Sequence, residues 1–300
     1  MTPHLSELEF KLLRDLIYEH CGIFLTENKA YLIENRLANL LEKTRSSTFG
    51  ELYHKARNSP QAGHLCMQMV DAITTNETSW FRDQYPYQVL RERILPEYDR
   101  EIAAGKRKRI NIWSAACSTG QEPYSTAITI LDFYSMSNKD SACHNWVHIL
   151  ATDISTTSLA VADQGKYDAV SINRGLQQKH LDRYFKQNTH CWKIDDRVKE
   201  MVSFKLCNLK SPVMGEKYDI IFLRNVMIYF SDSLKRELFN RMAELLAPNG
   251  YLFLGTGETT GGYTTRFEMV EFQKAIYYRR KPTNDKESAS CPQLSHCKAI

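Results

Sequence analysis

The sequence predicts an α/β protein, a mostly parallel sheet with helices on both faces, preceded by a small all-α domain. Three observations carry that expectation. From Ser6 to about Val70 apolar residues recur at helical spacing with no strand-like alternation. From Arg109 onward short apolar runs alternate with helical patterns, an order that calls for parallel strands joined by crossover helices. Between Tyr167 and Leu206 that rhythm breaks, which reads as a small inserted β-subdomain at about 180–206.

In the first region Leu8, Leu12, Leu13, Leu16 and Ile17, then Tyr31, Leu32, Leu37, Leu40 and Leu41, mark helix faces of a domain spanning 1–75. Lys29, Arg36, Lys43, Arg45, Lys55 and Arg57, set against Glu34, Glu42 and Glu51, read as its solvated face. A polar linker and a helix stopping at Gly105 occupy 76–105. The cations Lys106 to Arg109 follow a helix C-terminus, where its dipole favours positive charge.

The main domain, 106–280, then runs through strand Ile110 to Ala115, helix Pro123 to Tyr134, strand Trp146 to Thr152 and helix Ser155 to Gln164. Inside the insertion "QQKHLDRYF" reads as a helix, with "THCWKI" and "MVSFKL" as short strands. Strand Tyr218 to Arg224, helix Asp232 to Ala247 and strand Gly250 to Gly255 resume the alternation. "FEMVEFQKAIYYRR" contains no helical stretch and should add an antiparallel edge. The polar tail 281–300 should be disordered.

Composition narrows the function classes. The chain has 300 residues, 43% hydrophobic and 25% charged, which suits a globular protein with a substantial core. A net charge of +4 is too mild for a dedicated polyanion binder, and no aromatic-rich RNA module is visible, so nucleic acid is not the expected partner. No signal peptide or membrane-spanning run is present, so a cytoplasmic location without membrane insertion is expected. The eight cysteines, at 21, 66, 117, 143, 191, 207, 291 and 297, form no CxxC pair, and Cys143 with His148 lacks a second ligand pair, so no metal is expected.

In an open α/β sheet ligands bind at the C-terminal ends of strands, near the point where strand order reverses. Three such ends carry polar or small residues. The first is the turn "SAACSTG" before the helix at Pro123, whose one glycine, Gly120, rules out a G-x-G-x-x-G dinucleotide fingerprint. Its small side chains are read as room for a ligand against the backbone. The second is Asp153, placed either to accept ribose hydroxyls or to cap the helix that follows. The third is Arg224-Asn225. "GTGETTGG", 255–262, matches no phosphate loop and is read as a flexible turn.

Four blocks, "TTNETSWFRD", "WSAACSTGQEPYS", "ILATDIS" and "FLRNVMIYF", resemble in sequence and order the signatures of the CheR family, the chemotaxis receptor glutamate methyltransferases. The similarity covers about residues 5–280. It implies a Rossmann-like class I S-adenosylmethionine domain with a seven-stranded sheet. It also implies transfer of a methyl group from S-adenosyl-L-methionine to glutamate side chains on the cytoplasmic helices of chemoreceptors. The family's cofactor positions fall on Asn76, Thr78, Arg82, Glu122, Asp153, Asn208, Leu209, Arg224 and Asn225, with Ala116 in the small-residue turn, and Tyr229 matches a tyrosine beside the reacting methyl. Arg82 is then expected to hold either the substrate's or the cofactor's carboxylate. The family's receptor-tethering β-subdomain has a glycine-containing turn, whereas "YFKQNTHCWKIDDRV" has none, so no tight pentapeptide tether is expected. The competing readings are a non-catalytic S-adenosylmethionine sensor and a methyltransferase for RNA. A monomer is the expected state.

Overall fold

A computed structural model describes residues 3–211 and 215–282. The tail expected at 281–300 therefore lies, beyond Pro282, outside the described residues, as do Cys291 and Cys297.

Four helices build the N-terminal domain: α1 (Glu7–Cys21), α2 (Ala30–Thr44), α3 (Phe49–Asn58) and α4 (Ala62–Ile73). A capping box starts α1, since the Ser6 hydroxyl accepts from Glu9 N while the Glu9 carboxylate accepts from Ser6 N at 2.9 Å. Phe10, Leu13, Ile17, Ile33, Leu37 and Leu52 meet in one core along the expected apolar spacing, whereas Leu8 and Tyr31, 68% and 56% exposed, stand outside that packing stripe. Arg36 leaves the solvated face and donates to the carbonyls of Ile73 and Thr74, tying α2 to the start of the linker.

The linker enters α5 (Tyr85–Val89), which passes through a π-turn at Leu90–Ile94 into α6 (Leu95–Ala103). Pro96 has no N–H to return to the preceding turn, and the widened turn absorbs that loss. Strand β1 (Ile110–Ala115), α7 (Gln121–Ser135), α8 (Asp140–Cys143), β2 (Val147–Asp153) and α9 (Thr156–Gln164) follow. Next come β3 (Lys166–Tyr167), α10 (Ala169–Asn173), α11 (Gln178–Tyr184), β4 (Phe185–Gln187), β5 (Trp192–Ile194) and α12 (Asp196–Lys199). The chain closes with β6 (Val202–Leu206), β7 (Tyr218–Leu223), α13 (Asp232–Leu245), β8 (Leu246–Leu254), β9 (Phe267–Phe272) and β10 (Ala275–Arg280).

The main sheet has seven strands in the order β6-β2-β1-β7-β8-β10-β9, parallel except for the β9–β10 hairpin at one edge. Strand order reverses between β1 and β7, so a crevice opens at their C-terminal ends. Alternate residues divide the strands between two cores. Ile110, Ile112, Phe222 and Phe253 face α6 and α7, while Trp113, Ala115, Ile221 and Leu252 face α13.

The insertion differs from its expected outline. "MVSFKL" does not belong to it: Val202–Leu206 pairs in parallel with β2 and forms the edge of the main sheet. The small sheet is instead β3-β5-β4, which recruits Lys166–Tyr167 from before the expected boundary. Two-residue β3 is too short for any periodicity to reveal.

The linker is anchored on that insertion through Trp80, which is 1% exposed. Its ring meets Tyr167 and Phe185 edge-on at 5.0 and 5.2 Å, its Nε1–H donates to Ser171 O, and its backbone N–H donates to Arg174 O. Gly175, at φ 97°, lies so close that a Cβ would strike the Trp80 carbonyl. Gly175→Ala adds both that collision and a left-handed residue, itself worth about 1–2 kcal/mol, and should lower the thermal midpoint by several degrees; an unchanged midpoint in calorimetry would show that the linker is not held there.

Candidate active site

Every residue expected from the sequence to meet the cofactor or the reacting methyl lines one cleft. Asn76, Thr78 and Arg82 enter from the linker, Ala116 and Glu122 from the β1–α7 turn, and Asp153 from the end of β2. Asn208 and Leu209 follow β6, while Arg224, Asn225 and Tyr229 follow β7. The cleft is partly open, with about 1180 Å³ of empty space when its solvent-filled mouth is included.

The small residues of the turn after β1 have a second cause beyond the one expected. Ala116 and Ser118 take φ values of 62° and 51°, and Gly120 takes 94°, so every second residue is left-handed. Side chains there are small because larger ones strain such backbone, as well as because the cleft runs beside it. Ser118 Oγ donates to Asn76 O at 2.9 Å and thereby fixes the linker against the turn.

Asp153 is 6% exposed and accepts main-chain N–H groups on both oxygens, Ser118 N at 2.7 Å and Ser155 N at 2.9 Å. Burial pushes its carboxyl above the ordinary aspartate range, against the pull of those N–H groups. It is not the cap of α9, since Ser155 Oγ accepts Ser158 N in that role. A carboxylate offers about four acceptor positions, so capacity remains for a ligand's hydroxyls.

Glu122 is more heavily committed than the sequence suggested. Ser114 Oγ donates to one oxygen at 2.7 Å and Arg224 Nη1 to the other at 2.9 Å. Arg224, its side chain 1% exposed, also donates through Nη2 to Asp83 at 2.7 Å and to the Arg82 carbonyl at 2.8 Å. Burial opposes that positive charge, but Glu122, with Tyr87 and Asp83, outweighs it and holds the guanidinium protonated. The guanidinium of Arg224 is thus part of the floor of the cleft.

Above that floor the linker is bent tightly. Phe81, Asp83 and Gln84 all have positive φ, at 49°, 65° and 48°. Such strain costs on the order of 1–3 kcal/mol per residue and needs restraint. Trp80, Arg224, a bond from Phe81 N to Ser125 Oγ, and the stacking of Phe81 on His180 at 4.6 Å supply it. The result presents Arg82, whose guanidinium donates only to Glu77 O at 3.2 Å and has no carboxylate partner among the described residues.

Tyr229 ends a 3-10 turn, Met227–Tyr229, and packs against the helical domain. Phe24 N donates to its carbonyl at 2.8 Å, and Ile23 bridges Phe230 in antiparallel fashion. Asn208 is partly spent in the same junction, donating to His20 O at 2.5 Å and accepting from Lys210 N. The cleft therefore has walls that the sequence did not disclose: Ile23, Phe24, Leu25, Lys29 and Leu32, all from the helical domain. Nothing in their types marks them as site residues; only the docking of the two domains does.

Another residue passed over is Glu258, in the segment read as a flexible turn. Its carboxylate accepts the N–H groups of Asn225, Gly255 and Met227. The segment is anchored at that point. Among the described residues no group of three His, Cys, Asp or Glu side chains is placed to hold a metal, and no helix is long and apolar enough to cross a membrane.

Comparison with known proteins agrees with this architecture. Residues 8–74 match the family model for the CheR methyltransferase all-alpha domain, and 76–276 match that for the CheR methyltransferase SAM binding domain. The chemotaxis protein methyltransferase Cher2 of Pseudomonas putida is 40% identical over 278 residues, covering 92% of this chain and 99% of that protein. Chemotaxis protein methyltransferase 1 of Vibrio cholerae is 41% identical over 279 residues, covering 92% and 98%. With both of its domains matched and the cleft lying where they meet, the chain belongs to the CheR methyltransferase family.

Proposed function

We propose that the protein transfers a methyl group from S-adenosylmethionine to glutamate side-chain carboxylates on the cytoplasmic helices of chemoreceptors. The observation that carries this reading is the uncommitted guanidinium of Arg82 standing in one cleft with Tyr229, the bare β1–α7 turn and Asp153. The cleft fits the cofactor. Asp153 retains acceptors for ribose hydroxyls, and the turn of Ala116 lets a ligand lie against main chain. Binding there should also stabilise the fold, since it engages one conformation of many contacts.

S-adenosylmethionine supplies an electrophilic methyl on a sulfonium, so a carboxylate oxygen forms the new O–C bond as the C–S bond breaks and the sulfur keeps the electron pair. The products are a glutamyl methyl ester and S-adenosylhomocysteine. A glutamate is already ionised near neutrality, so no general base is required. The protein's own contribution is alignment in a partly dry site, worth at best about 7–11 kcal/mol. Arg82 holds a carboxylate, of substrate or cofactor, and Tyr229 orients the methyl group or the attacking oxygen. Glu122 and Arg224 act from below by holding the backbone of Arg82 in place.

For the receptor, the hairpin of β4 and β5 has three-residue strands and a glycine-free turn at 188–191, which supports a chain without a tight pentapeptide tether. Recognition then falls to the helical domain. There Arg36 is spent on the linker, Lys55 on Glu51 and Arg57 on Glu19, which leaves Lys29, Lys43 and Arg45 as cations without an ion pair among the described residues.

Tritiated S-adenosylmethionine with receptor-containing membranes should yield base-labile methanol, and Arg82→Ala and Tyr229→Phe should each slow it by about tenfold or more, the scale of a lost positioning contact. Unchanged rates in both folded variants would remove these roles, and label in RNA would redirect the substrate. Ala116→Leu, a large side chain at positive φ on the cleft wall, should abolish cofactor binding in calorimetry while the circular dichroism stays close to wild type; retained binding would make the turn a matter of packing alone. A receptor C-terminal pentapeptide should bind more weakly than micromolar, and tighter binding would restore the tether.

A further inference from the structure

One carboxylate closes two strand ends onto a single point. Asn225 N and Gly255 N each reach Glu258 Oε2 at 2.7 Å, and Met227 N reaches Oε1 at 2.8 Å. Asn225 follows β7 and sits at φ 57°, Met227 opens the turn that ends at Tyr229, and Gly255 follows β8. Gly255 has to be bare, because a Cβ would stand 2.6 Å from Asn225 Nδ2 and 2.8 Å from Glu258 Oε2. Glu258 itself does not line the cleft. Two of its bonds go to the main chain of Asn225 and Met227, in the segment whose Asn225, Val226 and Tyr229 do line it, and the third ties that segment to the end of β8.

We infer that Glu258 is a positioning residue for methyl transfer, fixing the segment from Asn225 to Tyr229 through its main chain and so setting where the Tyr229 side chain stands. This rests on the reading of Tyr229 as a neighbour of the transferred methyl. The residue type matches the task. Three N–H groups converge from two elements, and only a side chain with two acceptor oxygens satisfies them together. Aspartate is one methylene short, and glutamine would turn an NH2 toward N–H groups that need an acceptor. Misplacement by about 1 Å far from the chemistry can cost about a hundredfold in rate.

The test compares the full-length wild type with Glu258→Gln, Glu258→Asp, Tyr229→Phe and the Glu258→Gln/Tyr229→Phe double variant. Methyl transfer to receptor membranes is measured alongside amide hydrogen exchange of residues 224–230. Glu258→Gln should speed exchange in 224–230 at least about tenfold, with β1 and β2 unchanged, as expected for local opening. It should lower kcat by about 10- to 100-fold with KM for S-adenosylmethionine within about threefold, and Glu258→Asp should recover part of the loss. In the Tyr229→Phe background the same substitution should cost less than about threefold, because both changes act on one group.

Unchanged exchange in 224–230, a loss confined to KM, or full multiplication of the two losses would overturn the inference. If Tyr229→Phe alone leaves kcat unchanged, the reading of Tyr229 fails and the inference falls with it. Should the wild type transfer nothing to receptors, the substrate reading fails separately. Faster exchange would then still support the anchoring role, and unaltered exchange would overturn it.

Discussion

The candidate site depends on one buried cation. Arg224 brings together the end of β7, the start of α7 through Glu122 and the bent linker through Asp83 and the Arg82 carbonyl. Taking these charges out of water is costly, and their attraction compensates only when the geometry is good and the donors are used. A guanidinium comes nearer to that condition than an ammonium would, because its fixed fork reaches two carboxylates and a carbonyl through Nη1 and Nη2, while its buried Nε has no hydrogen-bond partner among the described residues. Removing Arg224 would leave Glu122 buried without its counter-charge, a loss of about 3–5 kcal/mol in comparable cases. Left-handed Phe81, Asp83 and Gln84 persist because this pairing, together with Trp80, restrains them.

Much of the fold was legible because it rests on periodicity. The stripe of α1 and α2 and the apolar runs of β1, β2, β7 and β8 are direct consequences of which faces must be buried. Val202–Leu206 was assigned to the wrong sheet because a five-residue strand carries no signal for its partner. Its place beside β2 is set by tertiary packing. Two-residue β3 has no signal at all.

The site was legible through motif order rather than through local chemistry. Asp153 and the turn of Ala116 were found because strand ends are where ligands bind, but the positive φ at Ala116 and Ser118 is a backbone property that their small side chains only permit. Glu258 looked like part of a loose glycine-rich loop, since its three partners are main-chain groups and leave no trace in residue type. Arg224 and Glu122 were expected near the cofactor and both line the cleft, whereas their bonds to each other are visible only in three dimensions.

The junction of the two domains bears on how the chain can be taken apart. The two family matches divide it between residues 74 and 76, yet Phe24 donates to Tyr229 O and Asn208 to His20 O across that division, and Ile23 to Leu32 supply a wall of the cleft. A boundary drawn by sequence similarity is therefore not a boundary of the catalytic unit. Severed at residue 75, the C-terminal piece would keep its sheet and its buried ion pairs but would hold half a binding site with an exposed apolar seam. Similarity sorts the two domains into separate modules, but the cleft is built from both at once.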